Sequence, residues 1–167
     1  MTKKILFLML IMTMLAGCGA PSPKLAGNYS MLLKDYEQAA QDYEKALQDD
    51  PDSVILLTGL GRAYYNLGKY DKAEESLTGA TEVQADYPNA VFYLGLCSIA
   101  KGDRKAGFEI LDNFRYVGKP EVTKSVQSMS RQLADNTDDS DDYITQKMFQ
   151  AWDDGVKAEQ LADSGKQ

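Results

Sequence analysis

Few side chains in this 167-residue chain are equipped for chemistry. Histidine is absent, which removes Ser-His and Cys-His nucleophile pairs, imidazole metal sites and the usual general base near neutral pH. Ser98-Ile99-Ala100-Lys101 sets a hydroxyl and an amine one helical turn apart, the S-x-x-K spacing at which a lysine can activate a serine. The K-T-G and S-D-N stretches that complete such a site are missing, so coincidence is the expectation. Residues 135–142, DNTDDSDD, are the densest acidic run. Aligned as a calcium loop from Asp135, they put Asp139 in fifth place, but Ser140 falls where glycine must turn the chain and Gln146 where a bidentate glutamate must close the site. A solvated linker with no metal is the expectation. No glycine-rich phosphate loop follows a strand. The chain reads as non-enzymatic, with no cofactor and no small-molecule substrate.

Two cysteines remain, Cys18 and Cys97. Cys18 closes a leader in which Lys3 and Lys4 precede an apolar run at residues 5–15 broken only by Thr13. The run is shorter than the roughly 20 residues that span a bilayer, and small residues Ala16 and Gly17 precede the cysteine, as in a secretory signal. The residues alone also fit a plain signal with an incidental cysteine. However, Leu15-Ala16-Gly17-Cys18 resembles the bacterial lipobox. That resemblance implies a diacylglyceryl thioether on Cys18, cleavage after Gly17 and acylation of the new amino terminus. Several chains make sense physically, because one acyl chain anchors only marginally. Gly19 stands where an aspartate would retain a lipoprotein at the inner membrane. The implied location is therefore the cell envelope, at the outer membrane facing the periplasm if the source is Gram-negative.

Cleavage would leave 150 residues, one domain with room for a core. The net charge of −7 becomes −9 once Lys3 and Lys4 are removed, and no basic cluster exists. A nucleic-acid partner is not expected, since phosphate binding rests on Lys and Arg. The acidic balance also opposes adsorption to anionic lipid heads, so attachment must come from the anchor. With Cys18 acylated, Cys97 has no disulfide partner, and its apolar helical surroundings suggest a buried small hydrophobe.

The elements behind these residues repeat. Gly27, Gly61 and Gly95 are 34 residues apart. Twelve residues after each comes Ala39, Ala73 or Gly107; four further on come Tyr43, Leu77 and Leu111, and three beyond those Ala46, Ala80 and Phe114. Leu57, Leu60 and Tyr64 lie at helical spacing before Gly68 breaks the pattern, and Ala73, Leu77 and Ala80 then share one face of a second helix. Glycine inside a helix costs about 1 kcal/mol relative to alanine. Three at one repeat position imply a packing reason: Gly27, Gly61 and Gly95 face Ala39, Ala73 and Gly107, so that paired axes approach closely.

These columns resemble the tetratricopeptide repeat over residues 24–119. The second unit carries Leu57, Leu60-Gly61, Tyr64, Gly68, Tyr70, Ala73, Leu77 and Ala80; the first carries Tyr36, Ala39, Tyr43, Ala46 and Pro51; the third carries Leu94-Gly95 and Gly102. The third departs from the pattern at Ser98, Gly107 and Phe114, and the first half of unit one at Pro23, Ala26 and Ser30, as befits end repeats. The implied fold is an all-α helix-turn-helix solenoid of about three repeats with C-terminal capping helices. The expected organisation is a signal at 1–17, a lipidated tether at 18–23, units at 24–53, 54–87 and 88–119, a capping helix at 120–134, an acidic linker at 135–142, and a C-terminal helix and tail at 143–167. In this family the first helix of each unit lines a concave groove. Carried over, the groove positions are Lys24, Asn28, Thr58, Arg62, Tyr65, Asn66, Asn89, Phe92 and Tyr93, with Leu96 and Ile99 beside them; Phe92, Leu96 and Ile99 either line the groove or are covered by the next helix. One variant of the family clamps a carboxylate terminus; Lys24 and Asn28 match it, whereas Gly59, Asn89 and Tyr93 do not, so that clamp is not implied.

Beyond the repeats, Val122, Val126, Met129 and Leu133 form an apolar stripe after Pro120. Ile144, Met148, Phe149, Trp152 and Val156 form another, which either folds back on the solenoid or serves as an arm for a partner. The function implied is a membrane-anchored scaffold that binds another envelope protein. Lipoproteins of this kind resemble assembly factors for pili and secretins; others resemble barrel-insertion factors, adaptors of cell-wall hydrolases or structural subunits of an outer-membrane complex.

Overall fold

The computed structural model describes residues 22–165, eight helices joined by short turns. Three helix pairs come first: α1 (Pro23–Leu32) with α2 (Tyr36–Leu47), α3 (Val54–Asn66) with α4 (Tyr70–Val83), and α5 (Pro88–Ala100) with α6 (Arg104–Asp112). They are followed by α7 (Pro120–Ala134) and α8 (Asp141–Ser164). Each helix packs on the next, and the first helices of successive pairs also meet, α1 on α3 and α3 on α5. This is the all-α solenoid the repeat implies.

The 34-residue period has a backbone cause as well as a packing one. The turn inside each pair passes through the left-handed region at Lys34 (φ 61°), Gly68 (φ 69°) and Gly102 (φ 90°), three positions 34 apart. Glycine adopts this conformation freely; Lys34 does so with strain. Asp35 and Asp103 then cap α2 and α6, their carboxylates accepting from the Gln38 and Ala106 amides at 3.1 and 3.0 Å.

Within a pair, small residues admit a large neighbour. A Cβ on Gly61 would lie 2.5 Å from Leu77 Cγ, and one on Gly95 the same distance from Leu111 Cγ. Gly107 approaches the Gly95 carbonyl so closely that a Cβ would sit 2.6 Å from it. In the first pair the filler is Tyr43, whose ring occupies the space left by both Gly27 and Gly59. Ala39 and Ala73, the small partners in α2 and α4, are fully buried.

The C-terminal pair departs from the repeat. Among the described residues it is α8, not α7, that meets α5. The α7 stripe buries Val122, Val126 and Leu133, with Met129 half-buried. On α8, Ile144, Met148, Ala151, Gly155 and Glu159 are buried. The helix starts at Asp141 behind a Ser140 cap, so the end of the acidic run forms its first turn rather than linker. Acid suits that place, since the helix dipole favours negative charge there. The buried Glu159 carboxylate accepts from the Glu121 amide at 2.9 Å, capping α7, whose own N-cap residue Lys119 offers no side-chain bond.

Candidate functional site

The first helices of the three pairs, α1, α3 and α5, meet along one face, the one the repeat assigns to a groove, and α8 packs on α5 at its C-terminal part. Phe92 on α5 is 1% exposed. Its ring lies 4.9 Å from Trp152 and 5.5 Å from Phe149, centroid to centroid, with Phe114 behind it at 6.2 Å. Tyr93 packs on Phe149 at 5.7 Å, and the Tyr65 and Thr145 hydroxyls are 3.3 Å apart. This arrangement corrects the groove assignment for Phe92 and Tyr93: α8 already occupies their surface. Leu96 and Ile99 are fully buried in the core. The sequence marks Phe149 and Trp152 as members of an apolar stripe, but nothing in it names Phe92 as their target.

The N-terminal part of the face stays open. Lys24 is exposed. Asn28 is also exposed, and its carbonyl accepts from the Tyr43 hydroxyl at 2.7 Å. Asn66 is exposed and donates to the Arg62 carbonyl at 2.7 Å, while Asn89 is half-buried in the first turn of α5. Between them lies Arg62, its guanidinium 5.4 Å from the Tyr93 ring centroid, a favourable placement of a cation over an aromatic face. The Arg62 Nε is buried without a hydrogen-bond partner, and so is the Thr58 hydroxyl one turn earlier on α3. Burial raises the Tyr43 pKa; the positive charge of Arg62 opposes that shift and Asp42 adds to it. The half-buried Arg62 thus sits at the border between the open part of the face and the part α8 covers, while Thr58, 3% exposed, belongs to the core rather than to the groove surface assigned to it.

The residues that could have suggested catalysis are arranged otherwise. The Ser98 hydroxyl donates to its own helix at Leu94 O, 3.2 Å away. The Lys101 ammonium pairs with Asp71 and Glu74 on α4, and those two bonds raise its pKa, the wrong direction for a general base. Among the described residues no cluster of three or more metal-ligating side chains forms, and no helix is long and apolar enough to cross a membrane. Cys18 lies outside the described residues.

Cys97 is fully buried, and burial pushes its thiol from 9.0 up to about 12. Burial likewise carries Tyr65 from 10.0 to about 12. Both folded pKa values stand above the ordinary ones, so both groups favour the folded state fully below pH 9 and lose that contribution as pH climbs to 12. Thermal midpoints should hold steady up to about pH 9 and fall between about pH 9 and 12. Cys97→Ala should delay the onset of the fall toward pH 10, the ordinary tyrosine value. A thiol reagent at neutral pH should modify Cys97 only when denaturant unfolds the chain.

Helix pairs that pack each on the next, with their first helices meeting along one face, define the class: a helical-repeat solenoid. Residues 30–94 match the tetratricopeptide repeat family. Among solved structures, the chain is similar to the TPR2B domain of yeast Sti1 in complex with pHsp70, at 17% identity and a TM-score of 0.54, over 77% of this chain and 92% of that one. It is also similar to the TPR domain of Sgt2 from Aspergillus fumigatus, at 23% identity and a TM-score of 0.53, over 87% of this chain and 82% of that one. The fold is thus a tetratricopeptide solenoid. No curated protein matches the chain.

Proposed function

We propose that this protein is a scaffold of the bacterial cell envelope, held to a membrane by acyl chains on Cys18, that grips a segment of another envelope protein in the open part of its groove. The observation that carries the reading is the buried, unpartnered pair of Thr58 and Arg62. A buried donor without an acceptor costs about 1–3 kcal/mol, so two on one face of α3 call for a reason, and a bound segment that reaches them as Arg62 shifts would supply it. The partner should therefore present a carboxylate or backbone carbonyls, with an apolar side chain for the aromatic wall. The yeast Sti1 domain held with pHsp70 supports the view that such a solenoid can hold a protein ligand. Within the envelope, the role proposed is assistance in assembling a pilus, a secretin or a comparable complex. In a second reading the chain is a structural subunit, or an adaptor in an outer-membrane or cell-wall-hydrolase assembly. It would then dock through the outer face of α8, where Tyr143 and Leu161 are 42% and 72% exposed.

In-cell crosslinking of the anchored protein, followed by mass spectrometry of what it captures, tests the choice. A Thr58→Val, Arg62→Gln variant should lose the captured protein while its melting midpoint moves little, because removing the unsatisfied Thr58 hydroxyl at nearly constant volume offsets the loss of the Arg62 cation over the Tyr93 ring. Capture that survives the double change but disappears in a Tyr143→Ser, Leu161→Ser variant would overturn the groove reading in favour of the subunit reading.

A further inference from the structure

We infer that α1 is the membrane-contacting element of the protein, lying along the lipid leaflet with its apolar face down; the inference rests on the anchor at Cys18 proposed above. Gly27 and Ser30 form the buried side of α1. On the side turned away from α2 and α3, Leu25, Tyr29, Leu32 and Leu33 are 60%, 61%, 77% and 60% exposed. Their spacing of i, i+4, i+7 and i+8 makes one continuous stripe. They are four of the nine large hydrophobics left exposed among the described residues, three on α1 and the fourth, Leu33, at its C-cap. Scattered exposed apolar residues need no explanation, but a contiguous stripe marks a surface that meets something.

Charge and tether length identify the occupant. The chain is strongly acidic overall, yet residues 19–34 contain Lys24 and Lys34 and no acid. The neighbouring α2 carries Glu37, Asp42 and Glu44. The two other acid-free stretches of that length, 53–70 and 87–102, form the largely buried α3 and α5, so the exposed acid-free stretch is the one that begins beside the proposed anchor. Cys18 precedes Pro23, the first residue of α1, by five residues. At about 3.4 Å per residue this tether holds the start of α1 within roughly 17 Å of the lipid heads. An amphipathic helix with lysines at its ends and leucines and a tyrosine on one face lies in the interface plane, its apolar side sunk about 5–10 Å into the headgroup boundary. Two lysines are too few to adsorb an acidic protein, so α1 orients what the acyl chains hold rather than replacing them. The solenoid would then stand on its first unit.

The test uses the full acylated chain, with the acyl mass on Cys18 verified, in vesicles of phosphatidylethanolamine and phosphatidylglycerol. Because Cys97 is fully buried and Cys18 is blocked, one added cysteine can carry an environment-sensitive fluorophore. Leu25→Cys and Leu32→Cys report on the stripe, while Val83→Cys and Leu161→Cys are exposed controls elsewhere. The expected result is a blue-shifted emission at positions 25 and 32, quenched several-fold more strongly by a lipid-borne nitroxide than at 83 and 161. An acylated, vesicle-bound chain whose positions 25 and 32 are quenched no more than the controls would overturn the inference and leave the anchor standing. Shielding of the stripe that no lipid-borne quencher reaches would also overturn it, since a second copy or another protein would be the cover. A chain without acyl mass at Cys18 would remove the anchor and the inference together.

Discussion

Replacing Phe92 by alanine is expected to cost about 3–5 kcal/mol, the range for truncating a buried aromatic, and to loosen α8 from α5. Total stabilities of such domains are about 5–15 kcal/mol, so the variant should be close to the edge of folding. The reason is the number of rings that share this one. Phe92 touches Tyr93 on its own helix, Phe114 beyond α6, and Phe149 and Trp152 on α8. Removing it empties the centre of an aromatic cluster that joins the third repeat to the C-terminal pair. Urea unfolding followed by Trp152 fluorescence should show the lowered midpoint. Hydrogen exchange should show α8 amides losing more protection than α4 amides. Equal losses in both helices would mean that α8 is held by α7 alone and that Phe92 is a core residue with no special role in closing the groove.

The repeat was legible because it is written twice, once in the packing columns and once in the turns. Gly61 with Leu77 and Gly95 with Leu111 give the same spacing and, in space, the same contact. The turn positions Gly68 and Gly102 extend it, and Lys34 hides it, because a lysine in the left-handed conformation leaves no mark in the sequence. The groove was only half legible. A family pattern assigns Thr58, Arg62, Phe92 and Tyr93 to one surface by register, and register cannot say that a later helix will cover part of it. Hydrophobic periodicity tells which side of α8 is apolar, not which surface that side meets. Nor does it separate the two directions in which α8 packs, with Ile144 and Met148 buried beneath it while Phe149 and Trp152 reach sideways to Phe92. Gly59 was invisible for a related reason: its need to be small is imposed by Tyr43, sixteen residues earlier and in the preceding unit.

Gly155 belongs to the same class, and it yields the second large effect. Alanine in place of glycine inside a helix normally stabilises by up to about 1 kcal/mol. At Gly155 the opposite is expected, a net loss of about 2 kcal/mol, within the range for overpacking. The added Cβ would lie 2.5 Å from Val122 Cα, 3.0 Å from the Glu121 carbonyl oxygen and 3.1 Å from the Val122 nitrogen. All three are backbone atoms at the start of α7, so no rotamer change can make room; the two helix axes must separate. Separation would also lengthen the bond from the Glu121 amide to the Glu159 carboxylate, one turn along α8, leaving the α7 N-terminus and a buried charge without each other. The loss should therefore exceed what the same change costs at Gly79, where a Cβ would meet only Leu57 methyl groups at 3.7 and 3.8 Å. Gly79→Ala should be neutral or stabilising. Measured side by side in urea, Gly155→Ala should lower the midpoint and Gly79→Ala should hold or raise it. Glu159→Ala added to Gly155→Ala should then cost less than it does alone, because the first change already weakens the cap. Fully additive losses would show that α8 tolerates the extra methyl without moving away from Glu121, and the close crossing would then carry none of the stability assigned to it.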